Sequence, residues 1–450
     1  MHIAFVIPPF HGHLNPGSTL AGAVKRLGHR VTLITSLPGQ KYAEREGLEF
    51  YGLFEKEVEE LEAMNKVLAT KSGFKAYQIT LGIMRRQCQL LLRDLPVALD
   101  KLKLDALLID EILYWPASAA ADIKQVPYGT IANAMTIMHW RDGPPCITTW
   151  HHSTSWWAQW RNQLVLWAQD VLMPPTRILV NEWLEDQGQP TIADGALRTG
   201  GIIQLAQQPA FFEFPKSNQV LPKHFFYTSP WHQSSRDASV SFPFEKLNTN
   251  KKIIYASLGT VQNKLQVVYQ NICKACAGLD DVQLVVALGK DGASLELNEK
   301  EIPEDCIIVG FAPQLQVLRK ASMVISHCGM NTCSEAMACG LPALAIPVAN
   351  DQPGVATRWK SLGAAILIDL PKDADSERIR KSILELLSET SSYKQAAKQL
   401  QERLVNESPT LEQTAGLIEI AFGGTDPLLR SDAKVKEFLG AKRVEPVMQQ

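Results

Sequence analysis

Two successive series of short apolar runs, each run followed by a helix-length stretch, constrain this chain's fold more than any other feature. In the first series residues 2–7 read as a strand, residues 16–27 carry helical periodicity, and residues 30–35 read as a strand again. Asn15 is placed to cap that helix, Pro16 suits its first turn and Gly28 its end. Strand, helix and strand in so short a span make a βαβ unit, which implies a parallel sheet covered on both faces. A further strand, residues 106–109, runs into Asp110. The pattern restarts with a strand at 252–258 that ends in Gly259-Thr260, and apolar runs follow at 283–288, 306–309, 323–326 and 343–347.

The 450 residues exceed what one hydrophobic core usually serves. The expected architecture is therefore α/β with two Rossmann-like, doubly wound domains. The first takes residues 1–230, and the second 251–425. The linker, 231–250, lies in an irregular stretch rich in Pro, Ser, Asn and Gln. The charged tail, 426–450, reads either as a helix packing on the first domain or as a disordered end. Two such domains facing each other bring the carboxyl ends of both sheets to one central cleft.

A formal net charge of -2 argues against nucleic acid as a partner, since phosphate binding needs a concentrated positive surface. The start, MHIAFVIPPFHGH, lacks a basic n-region and reads as a buried strand, not a signal peptide. No stretch approaches the roughly 20 apolar residues of a membrane-spanning helix. A cytoplasmic location is expected, and peripheral membrane contact stays compatible with it. Cys273 and Cys276 form a CxxC inside an apolar helical run with no second ligand pair, which favours burial over zinc or redox chemistry. Six of the ten tryptophans fall within residues 140–167, as helix packing, as one wall of an apolar pocket or as an apolar surface patch.

The densest signal runs from Phe311 to Gln352: FAPQLQVLRKASMVISHCGMNTCSEAMACGLPALAIPVANDQ. Residues 323–326 form a strand, His327-Cys328-Gly329 a turn, and Asn331 opens a helix. A strand, a Gly turn and a helix aim backbone N–H groups and a positive helix end at one point, a natural diphosphate site. His327 can add a hydrogen bond or a charge there. Thr332 and Glu335 taken alone fit a capping box, and Asp351-Gln352 taken alone is a loop pair.

Together these elements closely resemble the donor-binding signature of the family 1 UDP-glycosyltransferases. The matches are APQ at 312–314, HCGxNT at 327–332, Glu335, GLP at 340–342 and DQ at 351–352. The resemblance implies a GT-B fold and a UDP-sugar donor. It assigns the loop carrying Phe311, Ala312 and Gln314 to uracil and ribose. It assigns His327, Gly329, Asn331 and Thr332 to the diphosphate, Glu335 to ribose hydroxyls, and Asp351 and Gln352 to the transferred sugar. The strand end with Ser257, Gly259 and Thr260 resembles the family's second phosphate-side loop. Phe311 and Met330 stand where plant members carry tryptophans.

Transfer to an unactivated hydroxyl needs a base near the acceptor oxygen. The turn PPFHGHLNP supplies His11 and His13; in the resembling family the histidine of the GH pair, here His13, is the general base. Asp110 resembles the supporting aspartate. Its neighbour Glu111 is the rival, and strand alternation lets only one of them face His13. His11 has no such support and reads as structural or acceptor-facing.

The expected reaction is inverting transfer of a hexose to the hydroxyl of an apolar small molecule such as a flavonoid, terpenoid, carotenoid or macrolide. Gln352 favours glucose. The signature holds no acidic cluster for a metal, so neither metal nor cofactor is expected. The rival readings are a UDP-sugar epimerase or hydrolase on the same fold, and a UDP-sugar-binding regulatory protein without turnover.

Overall fold

The computed structural model describes residues 1–68, 73–136, 143–172, 176–193, 201–215, 221–233, 236, 240–259, 266–289, 301–369 and 373–423. The first half contains strands β1 (His2–Val6), β2 (Arg30–Ser36), β3 (Glu49–Leu53), β4 (Ala106–Asp110), β5 (Tyr128–Ala132), β6 (Gln204–Ala206) and β7 (Phe225–Tyr227). Its helices are α1 (His11–Arg26), α2 (Gln40–Glu46), α3 (Val58–Leu68), α4 (Gly73–Leu102), α5 (Tyr114–Ile123), α6 (Trp156–Leu172) and α7 (Arg177–Asp186).

The second half contains strands β8 (Lys252–Ser257), β9 (Val282–Ala287), β10 (Ile307–Val309), β11 (Met323–Ser326), β12 (Ala343–Ala345) and β13 (Ala365–Leu367). Helices α8 (Gln266–Cys276), α9 (Gln314–Leu318), α10 (Met330–Ala338), α11 (Gln352–Ser361), α12 (Ser376–Leu387), α13 (Ser392–Glu407) and α14 (Leu411–Phe422) accompany them.

Each half builds one parallel sheet. The strand order is β3-β2-β1-β4-β5-β6-β7 in the first and β10-β9-β8-β11-β12-β13 in the second. The central strands are buried along their length, save the first residue of β8, as a sheet covered on both faces requires. The order reverses between β1 and β4 in the first sheet and between β8 and β11 in the second. At such a switch point the connections leave in opposite directions and open a crevice at the strands' carboxyl ends. His13 and Asp110 beyond the β1 and β4 ends, and Gly259 and His327 beyond the β8 and β11 ends, therefore lie at the two crevices.

Two sequence expectations change. Helix α1 starts at His11, not after Asn15, and runs through Pro16. The HGH segment is thus the first turn of a helix, and Asn15 does not cap it: its side chain reaches His11 Nε2 at 2.9 Å and accepts from Arg45 Nη1 at 2.8 Å. The last described helix also leaves the second domain, in which the sequence had placed everything to 425. Leu411, Ala415 and Ile418 lie at i, i+4 and i+7, and this apolar stripe buries itself with Leu20, Ala23 and Val24 of α1 in the first domain's core. Thr260 and the 426–450 tail lie outside the described residues.

A candidate donor and acceptor site between two switch points

At the first switch point His13 Nδ1 lies 2.8 Å from Asp110 Oδ2, although the two residues are 97 positions apart. Asp110 is fully buried and its carboxyl group is held from two more sides, by Asn133 Nδ2 at 2.7 Å and by the Ile112 amide at 3.0 Å. Strand β4 ends at Asp110, and Glu111 opens a short helical turn in which it accepts from Thr136 Oγ1 at 3.1 Å, so Asp110 is the carboxylate that reaches His13. Burial works against a charged His13 ring, but the charge and hydrogen bond of Asp110, with the charge of Asp351, raise its pKa above the ordinary 6.5. With Nδ1 engaged, Nε2 is the nitrogen left to take a proton. His11 proves better supported than expected, with Tyr42 Oη 2.7 Å from its Nδ1.

At the second switch point the ring of His327 fits between two glycines. A Cβ on Gly259 would come within 2.6 Å of His327 Nε2, and one on Gly329 within 2.7 Å. Gly259 also sits at φ +85, in the left-handed region that favours glycine. Cys328, between His327 and Gly329, takes φ 65 despite its side chain, a strained turn of the kind found at binding sites. Burial holds the His327 imidazole neutral, with its pKa lowered to about 4 against a weaker opposite pull from the Ser257 backbone. Helix α10 has Gly329 at its N-cap and therefore no side-chain cap, which leaves its first amides open to an anion.

Gln314, Thr332, Glu335 and Tyr255 are brought together from three segments. Gln314 Nε2 donates to Glu335 Oε2 at 2.7 Å and to Thr332 Oγ1 at 3.3 Å, and Tyr255 Oη donates to Gln314 Oε1 at 3.1 Å. The capping-box alternative for Thr332 and Glu335 fails, because Gly329 is the N-cap and both side chains are buried within the helix. Glu335 pairs with Arg236 Nη1 at 2.5 Å instead. Phe311 faces the first domain, its ring 6.4 Å from that of His11, and Ala312 packs on the second domain's core.

The two halves meet closely. Asp351 Oδ2 accepts from the Met135 amide at 3.3 Å, and burial raises the Asp351 pKa above its usual 3.8. The Gly354 amide donates to the Cys146 carbonyl at 2.8 Å. Arg358 binds Glu213 through Nε at 2.9 Å and Nη2 at 2.5 Å, a buried pair that ties α11 to the segment after β6. Asn331 Nδ2 donates to the Gly12 carbonyl at 2.7 Å. Gln352 is less available to a ligand than expected, since its Oε1 accepts from the Val348 and Ala349 amides at 2.9 and 3.0 Å.

Phe10 lies against His13 with centroids 6.1 Å apart and packs with Leu68, Ile83, Met64 and Ile79, which puts apolar surface beside the dyad. Trp156, Trp157, Trp160 and Trp167 are instead strongly exposed along α6, so these four form surface rather than a pocket wall. Asn133, Gln207 and Arg236 were invisible in the sequence, each lying in a loop with no motif around it. Among the described residues no three His, Cys, Asp or Glu side chains are grouped to hold a metal. Cys273 and Cys276 are buried on α8.

Residues 259–410 match the family described as the glycosyltransferase family 28 C-terminal domain. A zeaxanthin glucosyltransferase of Pseudescherichia vulneris is 26% identical over 94% of this chain and 99% of its own length. The NDP-glycosyltransferase YjiC of Bacillus subtilis (strain 168) is 26% identical over 93% of this chain and 96% of its own. Among solved structures, the glycotransferase of kitacinnamycin superposes with a TM-score of 0.71 at 25% identity, covering 93% of this chain and 98% of that one. The calicheamicin glycosyltransferase CalG4 shares the fold with a TM-score of 0.69 at 18% identity, over 94% and 98% of the two chains.

Proposed function

We infer that this chain, a glycosyltransferase of the family 1 type with the GT-B fold that acts on secondary-metabolite acceptors, moves a hexose from a UDP-sugar to an acceptor hydroxyl with inversion at the anomeric carbon. The observation that carries this reading is the His13–Asp110 pair at 2.8 Å, set across the cleft from the uncapped start of α10. A protein that only bound the donor would have no use for a raised-pKa imidazole in that place.

His13 Nε2 takes the acceptor proton as the acceptor oxygen bonds to the anomeric carbon. The bond from that carbon to the UDP oxygen breaks, and its electron pair leaves with the diphosphate. The opening amides of α10 and the neutral His327 receive the developing charge, a role for preformed dipoles in a site shielded from water. Glu335, Gln314 and Phe311 form the nucleoside end, and Asp351 with the Gln352 amide nitrogen faces the sugar. The apolar cluster around Phe10 supports a flavonoid, terpenoid, carotenoid or macrolide acceptor.

The test is UDP release from UDP-glucose with and without such acceptors, followed by mass spectrometry of the product. Release that depends on acceptor, with a product heavier by one hexose, is expected. Acceptor-independent epimerisation or hydrolysis, or no release with any acceptor, would refute the reading. Because amides and His327 supply the charge stabilisation, turnover should be unchanged in excess EDTA; a loss restored by divalent metal would contradict that account.

A further inference from the structure

A helix that runs through a proline leaves one carbonyl without its ladder partner. In α1 that proline is Pro16, and the carbonyl four residues back belongs to Gly12, next to His13. The freed carbonyl is taken up from the other domain: Asn331, at the second position of α10, donates to it through Nδ2 at 2.7 Å. Asn331 Oδ1 in turn accepts from Gln207 Nε2 at 2.8 Å. Gln207, almost wholly buried, also donates to the Asn133 carbonyl, and the Asn133 side chain donates to Asp110 Oδ2 at 2.7 Å. Asp110 closes the circuit on His13 Nδ1. A ring of polar contacts thus leaves the peptide beside His13, crosses to the donor domain and returns to the His13 imidazole.

We propose that Asn331 and Gln207 are positioning residues that hold the first turn of α1, and His13 with it, in register with the donor domain. The proposal rests on His13 being the base. Both ends of the Asn331 amide are engaged by the first domain, so the diphosphate falls to the α10 backbone amides and His327. Pro16 belongs to the same device, because its missing N–H is what leaves the Gly12 carbonyl to Asn331. The device makes base alignment depend on the two domains being together, so the proton is taken only where a donor sugar can be attacked.

The experiment is a double-mutant cycle on Pro16→Ala and Asn331→Ala, read as kcat at saturating donor and acceptor and as UDP affinity by calorimetry. Pro16→Ala restores an N–H that competes for the Gly12 carbonyl, and should lower kcat by about three- to tenfold, the worth of one hydrogen bond. Its thermal midpoint should not fall, since a proline leaves a helix interior. Asn331→Ala should lower kcat at least as far with UDP affinity unchanged, and the double variant should be no worse than Asn331→Ala, because both remove the same contact. Gln207→Met, similar in size but without the amide, should lower kcat in the same direction and leave UDP affinity intact. Unchanged kcat in Pro16→Ala, losses that multiply in the double variant, or an Asn331→Ala defect confined to UDP affinity would each overturn the proposal. Turnover surviving in His13→Ala would instead strike the base assignment beneath it, so the two failures are distinguishable.

Discussion

The two switch points carry the same part, a histidine beyond the end of a central strand, and put it to opposite ends: His13 stands in the first turn of α1 after β1, and His327 in the turn directly after β11. After β1, His13 meets a carboxylate from the end of the neighbouring strand β4 and its pKa rises. After β11, His327 meets the Ser257-to-Gly259 end of the neighbouring strand β8, where glycines admit the ring and burial lowers its pKa to about 4. The strand order that builds the two crevices is alike; what differs is whether the adjacent strand ends in an acid or in a gap. One architecture therefore yields a histidine of raised pKa on one wall of the cleft and a neutral one on the other.

The sharpest way to break that contrast is His13→Ala. Losing a general base costs about 10²–10⁴ in rate, and UDP affinity should survive because the ring does not belong to the donor wall. A variant that keeps more than a few per cent of turnover would remove the distinction between the two histidines.

Asp110→Asn should do less damage and leave a signature in pH. Asp110 raises the His13 pKa of the free enzyme above its ordinary value, so protonation of His13 sets the acid limb of kcat/KM and places it higher than an ordinary histidine would. Without the carboxylate burial prevails, the pKa falls, and the limb moves to lower pH while the plateau drops. An acid limb that stays in place, or greater damage from Glu111→Gln, would assign the supporting role elsewhere.

His327→Ala should weaken UDP and UDP-sugar binding together by roughly tenfold, the scale of one neutral hydrogen bond. With the free ring neutral down to about 4, the weakening should be the same at pH 6 and pH 8. A deficit that grows as pH falls would mean that bound diphosphate charges the ring, which would make His327 a cation and erase the contrast with His13.

The smallest effect concerns the sugar. Gln352 commits its oxygen to the Val348 and Ala349 amides, so only its nitrogen can meet a hydroxyl. A preference for UDP-glucose over UDP-galactose in kcat/KM of about threefold to tenfold follows, the worth of a single contact. Competition between the two donors with one acceptor measures it, and a galactose preference would refute it.

How much of the site could be read in advance differs between the walls for a simple reason. Phe311, His327, Glu335 and Asp351 all lie in the one continuous stretch that runs from the end of β10 through β11 and α10 to the start of α11, so a single signature holds them. The acceptor wall joins His13 to Asp110, whose pairing is visible only by resemblance, and then to Asn133 and Gln207, which no local pattern marks. Even within that stretch, Glu335 taken alone fits a helix cap, and Arg236 and Gln314, which hold it, come from outside its own helix.

Alternation of apolar runs and helical stretches determined, from the sequence alone, that two parallel sheets form, because such runs can be buried only between covering helices. Local composition could also place the turn glycines, whose lack of a side chain is a property of the residue itself. Tertiary structure alone decided where α1 begins, where α14 docks, which of Asp110 and Glu111 reaches His13, and that Asn331 crosses the cleft to Gly12. Those outcomes depend on partners brought together by chain folding from distances of up to 319 residues, and a hydrogen bond leaves no imprint on the sequence that separates its two ends.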